Sequence, residues 1–188
     1  MTHNATHELR YPIGPFAAPD PVTRAHVTAW TADIERLPHD LRAVVAAWDA
    51  QQFDTPYRPG GWSVRQVVHH VPDSHLNSLI RFKWALTEDR PVIKPYDEQS
   101  WAALPDYQTV PVAHSLDLLD ALHRRWVGLL RSVSWVQLQR EFVHPDPDTG
   151  AAATLAVTVG AYAWHGRHHL AHIERLAVRE GWRHGGSP

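Results

Sequence analysis

No cysteine occurs anywhere in the 188 residues. Disulfides, thiolate metal ligands and a cysteine nucleophile are therefore excluded, and any metal chemistry has to be written with histidine and carboxylate. Thiol chemistry would need a thiol brought in from outside. Long apolar runs are missing as well: nothing approaches the roughly 20 residues of a membrane span, and residues 1–10 lack the hydrophobic centre of a signal peptide. Nor is there an excess of charge. The 18 basic and 20 acidic side chains nearly cancel, with no long run of either sign, so no electrostatic footprint for nucleic acid or an anionic membrane exists. What remains is a single-domain cytoplasmic protein whose expected partners are a small-molecule substrate or another copy of the chain.

Histidine and tryptophan are present in excess, 15 and 9 respectively. The tryptophans suggest broad aromatic walls in the core or around a pocket. The histidines concentrate in Trp164-His165-Gly166-Arg167-His168-His169-Leu170-Ala171-His172. Residues four apart on a helix are neighbours, so His165 with His169, or His168 with His172, can offer two imidazoles to one point. With about 100° per residue and His165 at zero, Tyr162, Leu170, Ile173, Leu176 and Ala177 form an apolar stripe at roughly 20° to 140°. His169 falls at about 40°, and both it and His165 lie on the margin of that stripe. His172 falls at about 340° and is intermediate. His168, at about 300°, sits among arginines. The inward pair is therefore His165 and His169, with His172 in reserve. A catalytic zinc site usually takes three protein ligands, and the evident source of a third is His69-His70. The same residues also admit a plainer reading, as a solvated face or as core histidines satisfied by carbonyls.

Along the chain, residues 1–19 carry Pro12, Pro15 and Pro19 and are expected to form an irregular arm across the outside of the fold. Asp20-Pro21 is expected to start a helix that runs to Pro38, followed by a second piece with Leu41, Val44, Val45 and Trp48 on one side, the two being one bent helix or two. Ser63 with Gln66 forms a capping-box signature, which places His69 and His70 two turns into a helix. His75 falls on the apolar stripe of that helix, whereas His70 shares a polar strip with Gln66, Ser74, Asn77 and Arg81, and periodicity leaves open whether this strip faces solvent or a cavity. Pro72 is expected to disturb the local helix. Residues 87–114 are proline-rich and predict a long loop with one short helix over 97–104. Ser115 is expected to cap a helix through Leu130. Residues 140–145 look extended and 146–150 turn-like, and a last helix is expected over 154–180, stopped by Gly181. The chain then divides into the arm (1–19), an all-α antiparallel four-helix bundle (20–183) with long connecting loops, and a tail (184–188).

Several of these stretches together resemble the YfiT-like branch of the DinB superfamily: Tyr11-Pro12-Ile13-Gly14, Thr55-Pro56-Tyr57-Arg58, Gly60-Gly61-Trp62-Ser63 through His69-His70, Asp73-Ser74-His75, Pro95-Tyr96-Asp97-Glu98, His123, His144-Pro145, and Trp164-His165 through His172-Ile173. The resemblance covers nearly the whole chain in one order. It implies a bundle that holds a divalent metal, Zn2+ or Ni2+ with Mn2+ behind them, on His70, His165 and His169. It implies a metal-dependent hydrolase or, at the same centre, a thiol S-transferase using bacillithiol or a similar low-molecular-weight thiol, and a homodimer. No His-Glu-x-x-His motif supplies a general base. Asp73, His75 and His172 are the candidates for proton transfer or for orienting the ligands, and Tyr57, Arg58 and Arg81 for shaping the pocket. The rival readings are a non-enzymatic metal-binding or small-molecule-binding bundle and a metal-free helical dimer.

Overall fold

The computed structural model describes residues 8–145 and 152–182. The turn expected at 146–150, the tail and the first seven residues of the arm lie outside the described residues. Four long helices make the body: α1 (Arg24–Val45), α3 (Val64–Thr87), α6 (Val112–Ser132) and α8 (Leu155–Glu180). Short helices α2 (Ala50–Phe53), α4 (Glu98–Ala102), α5 (Asp106–Thr109) and α7 (Trp135–Leu138) occupy the connections. Strands β1 (Glu141–Val143) and β2 (Ala152–Thr154) pair antiparallel with Phe142 opposite Ala153. Among the described residues no helix is long and apolar enough to cross a membrane.

The four-helix bundle expected from the periodicity is present, and its direction of travel explains its long loops. Neighbouring contacts run α1 to α8, α8 to α3, α3 to α6 and α6 to α1, so the consecutive long helices α1 and α3 are not principal neighbours. Trp30 and Leu37 of α1 meet Gly160 and Gly166 of α8 in the same order, which makes that pair parallel. His69, His75 and Phe82 of α3 likewise meet Ser115, His123 and Trp126 of α6 in order. The other two contacts are antiparallel: His70 and Arg81 of α3 meet His165 and Tyr162 of α8 in reverse order, as Glu35 and Arg42 of α1 meet Arg131 and Asp117 of α6. Two parallel helices joined in sequence need a connection that travels back along the bundle, and residues 88–111 serve as that connection. This segment is tied down at one end, where the Ile93 amide donates to the Val143 carbonyl (3.0 Å) and the Val143 amide to the Pro91 carbonyl (2.9 Å).

Local chemistry sets the helix ends. Ser63 accepts from the Gln66 amide while the Gln66 side chain accepts from the Ser63 amide, so two otherwise orphaned donors at the start of α3 are satisfied as its sequence requires. Thr154 caps α8, and Gly181 stops it in the left-handed conformation (φ 68°). Several expectations need correction. The first helix starts at Arg24, not at Asp20-Pro21, because Thr23 provides the cap, and of the two alternatives left open at Pro38 it takes the single helix, running through to Val45. The helix expected over 97–104 is present as the shorter α4, and a further short helix, α5, follows it in the same connection. The third long helix begins at Val112; Ser115 lies inside it, its hydroxyl bonded to His69 Nδ1 (2.7 Å) instead of to a helix end. α3 likewise runs unbroken through Pro72. Finally, the arm does not merely pass over the outside. Pro12 is buried, and the Gly14 carbonyl accepts from Trp164 Nε1 (3.0 Å).

The apolar interior falls into two clusters. Ile34, Phe82, Trp126 and Leu155 belong to one, and Leu37, Leu41, Val64, Leu119 and Leu176 to the other. His75 of α3 and His165 of α8 lie between the two clusters in sequence, and with His123 of α6 they form a polar row of rings across the bundle, His75 and His123 buried and His165 half-buried.

Candidate metal centre

The capping box at Ser63 fixes the phase of α3 and carries His70 into the interior, where it is 1% exposed beside the Trp62 ring (4.7 Å between centroids). Across from it α8 presents His165 and His169 one turn apart, their ring centroids 4.5 Å from each other. One nitrogen from each of His70, His165 and His169 lies within 4.8 Å of the others. His70 Nε2 and His165 Nε2 are 3.2 Å apart. Two ligands at about 2.05 Å on a tetrahedral ion would stand about 3.3 Å apart, so this edge of the triangle is already the right length for zinc. Burial holds His70 down to about pH 4, and burial followed by the neighbouring imidazoles holds His165 and His169 well below their ordinary value. Near pH 7 all three are neutral and keep a lone pair for a cation. The Nδ1 atoms of His70 and His169 are buried with no hydrogen-bond partner, so the protein engages neither of these nitrogens itself. A donor set of three neutral imidazoles with no thiolate fits a borderline divalent ion.

His165 and His169 open onto a cleft of about 280 Å³ whose walls include Tyr57, Trp62, Trp164 and the arm residues Arg10 and Tyr11. Arg58 stands at its edge with its guanidinium over the Tyr57 ring and its Nε donating to the Tyr57 hydroxyl (3.2 Å). A cavity of about 350 Å³ elsewhere, between Arg24, Leu130 and Trp135, is lined by no histidine or carboxylate and offers no comparable chemistry.

The remaining candidates from the sequence separate clearly. His75, fully buried, places its Nε2 3.1 Å from His165 Nδ1 and so touches a ligand directly. His172 lines the cleft, lies against Tyr57 (4.0 Å between centroids) and donates from Nε2 to the Arg10 carbonyl (3.1 Å). Asp73 does not line the cleft: its carboxylate accepts from the Tyr107 hydroxyl (2.6 Å), and burial pushes its pKa up. Tyr57 and Arg58 line the cleft, whereas Arg81 is buried away from it, donating to the Tyr162 hydroxyl and the Lys94 carbonyl (3.3 Å each).

His168 is the main misreading. The helical wheel puts it among arginines, yet it is buried at 8% exposure, stacked on Trp164 (4.5 Å) with Tyr11 of the arm nearby (6.0 Å). The arm supplies a cover that no wheel of α8 alone can show. As a result His168, His169 and His172 form a second cluster of nitrogens within 4.8 Å, sharing His169 with the first. Sequence reasoning also assigned no role to Glu98, the one carboxylate lining the cleft among the described residues, or to His123. Burial raises the Glu98 pKa, with Arg81 acting against it. The short spacing from the Asp97 cap of α4 was the available signal for Glu98.

Comparison with known proteins agrees with this architecture. The family model described as the DinB superfamily matches residues 33–173. A Bacillus cereus (strain G9842) protein named a candidate metal-dependent hydrolase is 54% identical over 176 residues, which cover 94% of this chain and 99% of the relative. A Bacillus anthracis (strain A0248) protein with the same designation is 53% identical over the same shares. Among solved structures, YfiT from Bacillus subtilis, described as a probable metal-dependent hydrolase with an unusual four-helix bundle topology, superposes with a TM-score of 0.90 at 46% identity, covering 94% of this chain and 99% of that one. On the family match and these identities alike, the chain belongs to the DinB superfamily.

Proposed function

We propose that this protein is a metal-dependent hydrolase whose divalent ion, zinc or nickel, is held by His70, His165 and His169. The observation that carries the reading is the convergence of three neutral imidazoles from two helices beside a cleft, His70 and His169 buried and His165 half-buried. The names of its relatives point the same way. A divalent ion with three imidazole ligands keeps a position for an exchangeable ligand and acidifies a water or thiol that occupies it, toward a pKa of about 7 for water.

The chain's own groups do the rest. Glu98, the cleft carboxylate with an elevated pKa, is the group that would take a proton from the attacking group and return it to the leaving group. Arg10 and Arg58 give the cleft two fixed positive charges that suit an anionic substrate. Trp62, Trp164 and Tyr57 exclude bulk water and strengthen these electrostatic contacts. The same two arginines favour, as a second reading, an anionic low-molecular-weight thiol as nucleophile, which makes the centre a thiol S-transferase without altering its ligands.

The test is metal content and turnover together. Purified protein reconstituted with zinc or nickel is expected to hold one ion per chain and to cleave members of an ester and amide panel, or to join bacillithiol to an electrophile. Both properties should disappear in His70→Ala. Protein that retains no ion after exposure to either metal and turns over neither panel overturns the proposal.

A further inference from the structure

Proline at position 38 has no N–H, so the Ile34 carbonyl, four residues back in α1, loses its helical donor. A buried carbonyl needs another partner. It finds one on α6, where His123 Nδ1 makes a short hydrogen bond to the Ile34 oxygen. From there the contacts continue without interruption: His123 Nε2 to His75 Nδ1 (2.9 Å), His75 Nε2 to His165 Nδ1 (3.1 Å), and His165 Nε2 at the ligand cluster. His75 and His123 are 0% and 1% exposed, and the stacked pair of rings leaves no room for water to intervene.

The direction of these bonds follows from one fact. A carbonyl oxygen only accepts, so His123 must carry its proton on Nδ1. In a neutral imidazole that leaves Nε2 bare, which obliges His75 to donate from its own Nδ1. The same step repeats at His165, whose proton goes to Nδ1 and whose Nε2 is left as a lone pair facing His70 and His169. Each ring has one proton and two neighbours, so fixing the first fixes the last.

We infer that Pro38, His123 and His75 form a positioning relay that sets the tautomer of His165, delivering its Nε2 lone pair to the metal position from a backbone carbonyl on a helix with no ligand of its own. The part of this inference that concerns metal affinity rests on the reading given under Proposed function; the tautomers do not. His123 acts through two other rings and touches neither ion nor substrate.

Long-range 1H–15N correlation spectra of the imidazoles in metal-free protein test the relay directly. All three rings are expected to show a protonated Nδ1 and a bare Nε2. In His123→Ala, His75 loses its acceptor, so His165 is expected to shift toward the Nε2-protonated form and zinc affinity to fall roughly 10- to 100-fold, the usual effect of removing an outer-shell partner. His123→Asn, whose amide oxygen can accept from His75, should restore much of both. Pro38→Ala, which returns an N–H to compete for the Ile34 carbonyl, should give a smaller shift in the same direction. Should His123→Ala fail to fold, the wild-type spectrum and Pro38→Ala still decide. A wild-type His165 carrying its proton on Nε2, or a folded His123→Ala with unchanged tautomer and unchanged zinc affinity, overturns the relay. Wild-type protein that binds no zinc yet shows the three Nδ1 protons refutes the metal reading and leaves the relay standing.

Discussion

Lowering the pH of the metal-free protein from about 7 to about 5 is expected to destabilise it sharply, and the reason lies in the buried histidine layer. His70 and His123, each 1% exposed, are both held at about pH 4 by burial, against an ordinary value of 6.5. Between those two values the unfolded chain binds protons that the folded chain refuses, so stability falls as the pH falls. The penalty is absent above about pH 6.5, grows through the window and levels off below about pH 4. From pH 7 to pH 5 each ring costs about 2 kcal/mol, the pair about 4 kcal/mol, at 1.36 kcal/mol per pKa unit. His75, His165 and His169, also lowered by burial, add in the same direction. Asp73 and Glu98, raised by burial, act oppositely, mainly within the carboxylate range below this window. Since a domain of this kind is stable by only about 5–15 kcal/mol, the effect is a large fraction of the whole. Urea unfolding with a chelator present, at about pH 7, 6 and 5, measures it. A midpoint that stays flat across that range would refute the claim that these rings are buried neutral.

Gly166→Ala should cost about 1–3 kcal/mol by overpacking, because an added Cβ would run into the Leu37 side chain at the α1–α8 contact; urea titration at neutral pH reads it directly. Ser63→Ala should cost about 1 kcal/mol by removing half of the α3 capping box, with metal content unchanged. Glu98→Gln should lower kcat by roughly 10²- to 10⁴-fold while leaving the bound zinc per chain as it was; a loss of zinc instead would move Glu98 from proton transfer to ligand support.

How much of this the sequence reveals depends on how local the cause is. The capping box at Ser63 and the Thr154 and Gly181 ends of α8 are settled by residues within one turn, and they are legible in the string. The i, i+4 relation of His165 and His169 is equally local. His70 is harder, since its polar strip reads as surface or as cavity lining until α8 is set against it. His168 is misread because its cover comes from Tyr11, far off in sequence. The pairing of β1 with β2 escapes notice because three residues a side carry too little pattern. His123 is the least legible of all. Its role depends on a proline in one helix, a ring in a second and a ligand in a third, and no spacing within α6 encodes that.

The cleft draws its walls from stretches within 10–11, 57–62, 98–99 and 164–172, and the arm is fastened to α8 by Trp164 reaching the Gly14 carbonyl and His172 reaching that of Arg10. A chain emerging from the ribosome therefore has to hold its earliest wall in waiting until the final helix arrives, 150 positions later by the Trp164 contact alone. Closing contacts so distant in sequence costs loop entropy before the contact repays it, which slows folding. An ion held by His70, His165 and His169 would brace the finished closure, since it binds the folded chain in preference to the unfolded one.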